Sequence, residues 1–547
     1  MLKSIIEDIY EIIDRIRGKK IVVFGTGEMA KAIISFLPAA ISYFVDNSRE
    51  KQSKEFFGKI IFSPDELKKE NKEEVVVLIA SMYYKDISLQ LEGLGFTENY
   101  NFVNAKPLYE VVKDSDNNAA HDMIKEYLNE YMSKKINISE YKKLLVAKEF
   151  NWLGLNNKRL FFLGLKRGYN ILFTDDDVIY EKDYFFDINN DYKDITFKGV
   201  NLFQASLYNI CFDLKVSVKN IDLNVELHKR TILLWLNRCA NFILEILPIF
   251  EARSVSKVVI FQGHFYKQAV LRQLAILYGI EVLCLENTFN KNKAVWDSVS
   301  ALTVNTNSAR NYYWRYRDVL DTKTAEQYTL NYINNVKGQK MPEHDTPLKR
   351  YEKISDRKTI LFIGQVYLDS STLLGIWDYK DPIEIMLSLV NYCMENNMHL
   401  IIKLHPKERS SEHFYNDTLK HIEINADLAS KIRGSDSIFL DGENEYDTYS
   451  LIDAADVCVT INSQAGMEAL IKGKDVILCG MSSYGGMGFT YEAYNKEMLK
   501  HSLDMKLKDN ISLIKHDEIS KFFYTYNELY CIRKDEVSLL DKIVEGV

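Results

Sequence analysis

The chain has no CxxC pair and no cysteine spacing of the kind that binds metal. Its seven cysteines, at 211, 239, 284, 393, 458, 479 and 531, are scattered and mostly sit inside apolar runs. That pattern reads as buried thiols in a reducing compartment and speaks against a disulfide framework or a zinc ribbon. Basic residues are not in excess: 69 Lys and Arg face 77 Asp and Glu, a formal net charge of −8. The balance argues against nonspecific nucleic-acid binding. A run of about 20 apolar residues, long enough to span a bilayer, is also missing. The nearest, Thr231–Phe250, is interrupted by Asn237, Arg238, Asn241 and Glu245 and reads as a core helix. Met1–Gly18 alternates charges with Ile and Tyr at helical spacing and lacks the pattern of a signal peptide. The expectation is a cytoplasmic protein, at most peripheral to the inner face of the cytoplasmic membrane.

What is present is enough apolar residue, 47% of 547 positions, for two or three domains of about 150 residues each. Residues 20–105 read as a small α/β domain. The strand Lys20–Phe24 runs into Gly25-Thr26-Gly27 and a helix, and the strand Ser42–Val45 is closed by Asp46. The first glycine makes a tight turn, the second admits a phosphate to the backbone, and an acid about twenty residues on suits a ribose. Gly25, Gly27 and Asp46 are therefore a candidate nucleotide site, with an NAD-type ligand as the expectation to test. With its V-D-N and S-P-D-E-L stretches, this domain resembles the small Rossmann-like modules of bacterial polysaccharide-biosynthesis proteins.

The expected layout is this module over 1–113, a helical linker over 114–150, one α/β half over 151–340, a linker over 341–358, a second α/β half over 359–505, and C-terminal helices over 506–547 that fold back over the first half. Arg159–Leu163 and Tyr169–Phe173 read as strands. Asp175–Asp177 invites a metal, but a solvated turn is the better reading, and no metal site is assigned. In the first half, the strand Val258–Gln262 ends at His264, and Glu281–Leu285 ends at Glu286-Asn287-Thr288, with Asp297 beyond the loop. His264, Glu286 and Asp297 thus point toward one cleft edge as candidate catalytic groups. In the second half, Gln365 and Asp369 follow one strand and Lys403-Leu404-His405-Pro406 ends another. Val457–Ile461 then leads into Asn462-Ser463-Gln464 and a helix carrying Glu468. A strand end that meets a helix N-terminus through hydroxyl and amide side chains is an anion site.

The order G-Q-V-x-x-D-S-S, K-L-H-P, N-S-Q-A-G-M-E-A-L-x-x-G-K and Y-G-G-M-G-F-T over residues 364–490 resembles the bacterial capsule polysaccharide synthesis proteins, which include β-Kdo transferases using CMP-Kdo. The likeness extends to about residue 255. It implies a GT-B fold, two Rossmann-like halves facing across a cleft, behind the N-terminal module. It also implies a metal-independent enzyme that binds a CMP-activated sugar and a glycan or lipid-linked glycan acceptor, with a capsule-assembly complex as a further partner. Lys403 and protonated His405 would neutralise the leaving phosphate and Ser463 would hydrogen-bond it. Gln365, Asp369, Asn462 and Gln464 would face the donor, and Glu468 a ribose hydroxyl. Some relatives carry Glu-Asp-Gly where this chain has Glu286-Asn287-Thr288; others carry Glu-Asn with an Asp about ten residues on, as here. Competing expectations are alditol-phosphate transfer from a CDP-alditol, a catalytically degenerate scaffold, and an oxidoreductase built on Gly25–Ala30.

Overall fold

The computed structural model describes residues 7–37, 40–113, 141–147, 153, 155, 157–174, 182–188, 192–288, 290, 292–298, 307–336, 348–353, 356–410 and 415–545. The expected acidic run Asp175–Asp177 and the linker Asp114–Asn118 lie outside them. The chain folds as two compact units. The first takes Met1–Asp177, Ala252–Lys257 and Asp535–Val544; the second takes the rest. These units do not follow the sequence boundaries, because the first also collects residues from the middle and the end of the chain.

In the first unit, strands β1 (Lys20–Phe24), β2 (Ile41–Val45), β3 (Glu55–Phe56), β4 (Lys59–Phe62), β5 (Val75–Ile79) and β6 (Phe102–Asn104) form a sheet of order β3-β4-β2-β1-β5-β6 among the described residues. It is parallel except for the β3–β4 hairpin. Val22, Phe24, Val45, Val75, Val77 and Ile79 build one core layer. Gly25 follows β1 at φ +107, where a Cβ would lie 2.7 Å from the Ala80 carbonyl oxygen, so only glycine fits. Further along, β7 (Lys142–Val146) and β8 (Tyr169–Phe173) pair in parallel. Arg159–Leu163, expected as a strand, lies inside the helix Asn157–Lys166. A short apolar run satisfies both periods.

The second unit carries two sheets. After the hairpin β9 (Thr196–Phe197) and β10 (Val200–Asn201), its first sheet uses the part of β11 (Val255–Phe261) from Val258 on, β12 (Glu281–Asn287), β13 (Lys293–Asp297) and, near the C-terminus, β20 (Ile532–Arg533), in the order β20-β13-β12-β11. The chain therefore does return to the first half, where Ala294 pairs with Ile532 and Lys293 with Arg533. Trp296 donates through Nε1 to the Tyr530 carbonyl at 2.8 Å, and Lys293 is ion-paired with Glu528 at 2.8 Å.

The second sheet is parallel, with strands β14 (Thr359–Ile363), β15 (His399–Lys403), β16 (Ile438–Asp441), β17 (Val457–Thr460), β18 (Asp475–Leu478) and β19 (Tyr491–Glu492) in the order β16-β15-β14-β17-β18-β19. This is the doubly wound order, with its switch point between β14 and β17. Every residue of β14, β15, β17 and β18 is buried. Helices cover both faces, which is why these strands read as unbroken apolar runs. The helix Leu202–Leu214 packs on this sheet through Tyr208 and Cys211, and Ser217 donates to the Lys380 carbonyl at 2.6 Å. Two α/β sheets whose strand ends face one cavity make the GT-B arrangement.

One expectation, the core helix, holds here and another, the exposed linker, changes. The helix Glu226–Glu251 is long and apolar enough to cross a membrane, but Ile232, Leu236, Ile243, Ile246 and Phe250 are buried in the unit. Residues 348–353, expected within an exposed linker, run against the second sheet. Tyr351 is buried, its N–H donates to Ser450 Oγ at 2.9 Å, and its hydroxyl meets His399 Nε2 at 2.9 Å.

Candidate active site

At the switch point the ends of β14 and β17 are joined by amides. The Asn462 N–H donates to Gln365 Oε1 at 2.9 Å, Gln365 Nε2 donates to Asn462 Oδ1, and Asn462 Nδ2 donates to the Ser371 carbonyl at 2.9 Å. The reciprocal pairing needs one amide side chain on each loop, as G-Q-V and N-S-Q supply. Below it, buried Thr460 donates to the Ile363 carbonyl at 2.9 Å and accepts the Ser463 N–H at 3.3 Å. Ser463 then caps the helix Gln464–Ile471 by accepting from the Ala465 N–H at 3.3 Å, leaving its own hydroxyl hydrogen to donate outward.

The glycine in N-S-Q-A-G has a steric reason. Tyr484 donates to the Ser463 carbonyl, and its hydroxyl oxygen would lie 2.2 Å from a Cβ on Gly466. Gly466→Ala is expected to lower stability by about 1–3 kcal/mol through overpacking. Gly466→Ala with Tyr484→Phe should recover part of the loss in a thermal melt; no recovery would place the strain elsewhere.

A cavity of about 310 Å³ opens between the two sheets of the second unit. It is lined by Gln262, Glu286 and Asn287 from the first and by Gln365, Asp369, His405, Lys407, Asn462, Ser463 and Gln464 from the second, with Phe522, Phe523 and Tyr526 of the C-terminal segment closing one side. A neighbouring cavity of about 390 Å³ shares His405, Ser463 and Gln464 and is lined further by Glu468, Tyr449 and Pro406. His405, Ser463 and Gln464 therefore stand between two compartments. The His405 Nδ1 accepts from the Lys407 N–H at 3.1 Å, which leaves the proton of the neutral ring on Nε2. Burial holds the His405 pKa below its usual value, with Asp369 opposing and Lys407 and Lys403 adding to the drop. Burial thus works against the protonated His405 expected from the sequence, and the neutral ring would donate through Nε2. An arriving phosphate would favour the cation.

Lys403 lines the second cavity, but its ammonium is already engaged. It is 4% exposed and its Nζ is paired with Asp441 at 2.8 Å, with Asn444 at 3.2 Å and the Tyr446 carbonyl at 3.0 Å. The register that sets Lys403 opposite Asp441 at the ends of β15 and β16 produces this buried pair. The Glu286 cavity is lined by another cation, Lys407, two residues beyond His405. Sequence reasoning stopped at K-L-H-P and missed it. Glu408 was missed too: its buried carboxylate accepts from the Tyr367 N–H at 2.9 Å, the Thr418 N–H at 3.0 Å and the Thr418 hydroxyl at 2.6 Å, tying the His405 loop to the Asp369 loop. Asp369 itself caps the helix Ser370–Gly375 through Ser371. Glu468 lines the second cavity, where Tyr449 hydrogen-bonds to it; it is not a solvated helix position.

Of the three first-half candidates, the structure brings one into the cavity. Glu286 ends β12, accepts from the Asn287 N–H at 2.9 Å, and has its pKa pushed up to about 8, mainly by burial, with Asp369 adding to the rise and Gln262 and Lys407 opposing it. Asp297 is not across an open loop: it lies on β13 opposite Cys284, is 1% exposed and accepts from Ser308 at 2.5 Å. His264 is 6% exposed, outside the cavity lining, and its pKa falls to about 3 through burial and the nearby Arg272. The two corrections have separate local causes. The chain turns back as a hairpin strand after Asn287, and Gly263 at φ +86 turns it inward after Gln262.

In the first unit, Gly25, Gly27 and Asp46 do line one cavity, of about 600 Å³. The Asp46 carboxylate is already engaged by Thr26 at 2.5 Å, the Ser48 N–H at 2.9 Å and Lys51 at 3.3 Å. A dinucleotide ribose would have to displace one of these.

Residues 301–522 match the model of a family described as capsule polysaccharide biosynthesis protein, and residues 17–101 match the C2185-like N-terminal domain. A curated relative, the lipopolysaccharide-processing protein LpsZ of Rhizobium meliloti, is 31% identical over 150 residues, 27% of this chain and 30% of that one. The chain thus matches under a third of that relative's length. Among solved structures, a beta Kdo 2,4 transferase, KpsC of Thermosulfurimonas dismutans, aligns at 17% identity over 51% of this chain and 82% of its own, with a TM-score of 0.34. A beta Kdo 2,7 transferase of the same organism aligns at 18% over 55% and 90%, with a TM-score of 0.33. The UDP-GlcNAc 2-epimerase of Methanocaldococcus jannaschii aligns at 11% over 71% and 99%, with a TM-score of 0.26. The family match holds the second-sheet wall of the cavity and stops short of Glu286. Over residues 301–522 the chain is similar to the capsule polysaccharide biosynthesis protein family.

Proposed function

We propose that the chain is a glycosyltransferase of bacterial surface polysaccharide synthesis, moving a Kdo-like or other nonulosonic sugar from a CMP-activated donor to a glycan or lipid-linked glycan acceptor. The observation that carries the reading is the pair of cavities joined at His405, Ser463 and Gln464. A nucleoside monophosphate ester has the matching shape: a nucleoside on the Glu468 side, a sugar on the Glu286 side, and one phosphate between. His405 Nε2–H, the Ser463 hydroxyl and Lys407 supply donors and charge at that phosphate. In the reaction the bond from the anomeric carbon to the phosphate oxygen breaks and its electrons leave with CMP. The acceptor oxygen bonds to that carbon and passes its proton to Glu286. A base with a pKa of about 8 is well matched to this step. The sign follows: the working form is the carboxylate, so kcat/KM should rise with pH through about 8.

The test is release of CMP from CMP-Kdo, CMP-sialic acid and CDP-glycerol, with and without acceptor. Turnover of a CMP-sugar supports the proposal, and turnover of CDP-glycerol alone overturns it. Lys407→Ala is expected to lower kcat/KM by about 10²- to 10³-fold, the scale of losing one charged transition-state contact; an unchanged rate would remove Lys407 from the phosphate site.

A further inference from the structure

Behind the Glu286 carboxyl stands a residue from the far end of the chain. Lys534 follows β20, and its N–H donates to the Asn292 carbonyl at 2.9 Å, which fixes it beside the β12–β13 turn. Its Nζ donates to Asn287 Oδ1, and the backbone N–H of the same Asn287 donates to Glu286 Oε1 at 2.9 Å. Asn287 is thus held from the side chain by a cation while its main chain holds the carboxyl. Lys534 is not among the residues that line the cavity.

Resting on the transferase reading above, we infer that Lys534 is a positioning residue for the proton-transfer group: through Asn287 it fixes the Glu286 carboxyl, and its charge favours the carboxylate form. An Asn at 287 suits this arrangement. It accepts from the ammonium without neutralising it, whereas an Asp there would pair with Lys534 and cancel the charge that Glu286 feels. The other groups facing Glu286 are Gln262 at the end of β11, Asp369 and Lys407 from loops of the second sheet, and Tyr526 from the C-terminal helix. Asp369 disfavours the carboxylate and Lys407 favours it. Lys534 is a cation on the first-sheet side: its own pKa is lowered by burial while Glu286 opposes the drop, a weaker coupling than those of Asp369 and Lys407 with Glu286. The C-terminal segment, by this account, is part of the machinery and not only a brace.

The experiment uses the full chain and two readouts. The first follows the Glu286 carboxyl itself, as the protonated-carboxyl infrared band that disappears in Glu286→Gln, titrated against pH in wild type and in Lys534→Met. The second is the pH profile of CMP release. Lys534→Met is expected to move both midpoints up by about one pH unit, a tenfold smaller ionised fraction at a fixed lower pH. The donor KM should hold, and Lys534→Arg should restore the wild-type midpoints. An infrared midpoint in Lys534→Met equal to that of wild type overturns the inference, whatever the activity. A shifted infrared midpoint in a protein that turns over no CMP-sugar supports the Lys534–Glu286 coupling and overturns the transferase reading instead. If Lys534→Met does not fold, Lys534→Gln carries the same test.

Discussion

Glu286→Gln should lower kcat by about 10²- to 10⁴-fold, the range for removing a positioned general base, while donor affinity stays within about twofold, as expected when a lost interaction forms only in the transition state. The amide keeps the shape of the carboxyl and can still accept from the Asn287 N–H, as Glu286 does at 2.9 Å. What it cannot do is take a proton. Asp297→Asn is the control. Asp297 is 1% exposed and bound to Ser308, away from the cavity lining, so its loss should appear in the melting temperature and leave the pH profile in place. Steady-state CMP release and a CMP binding titration separate the outcomes. If Asp297→Asn abolished turnover with stability intact while Glu286→Gln turned over normally, the base would have been assigned to the wrong strand.

The second large effect concerns Lys403, and it is on stability. Lys403→Met leaves the Asp441 carboxylate, 3% exposed, without its cation. An uncompensated buried charge costs about 3–5 kcal/mol, enough to lower the melting temperature on the order of 10 °C in a domain of this size. Lys403→Met with Asp441→Leu should recover most of that loss, since replacing a buried ion pair by apolar groups is often close to neutral. CMP affinity in the double variant, measured below its melting point, should stay near that of wild type. The opposite pattern, normal stability with lost CMP binding, would return Lys403 to the donor site.

These two residues also show how far the sequence could be read. The second sheet was legible because its strands are buried on both faces, giving unbroken apolar runs, and because Gln365, His405 and Ser463 each follow directly at a strand end. Lys403 looked like a ligand because it neighbours His405 in the chain. Its true partner, Asp441, lies 38 positions away and is brought opposite only by the β15–β16 register. Lys407 and Glu408 were passed over because a four-residue helix has too few positions to show a period. In the first half, His264 and Asp297 were placed at the cleft from the strand ends they follow. The local backbone decides otherwise, through a glycine at positive φ and a hairpin strand. Lys534 carried no signal at all, since nothing local ties residue 534 to residue 287.

One phosphate sits between the two compartments in the proposed donor complex, and a crystal structure with CMP bound is the decisive measurement. The phosphate is expected at about 3 Å from His405 Nε2, the Ser463 hydroxyl and the Lys407 ammonium, with the cytidine on the Glu468 side and the Glu286 side left open for sugar. A phosphate held by Lys403, or CMP bound only in the N-terminal cavity around Gly25 and Asp46, would contradict it.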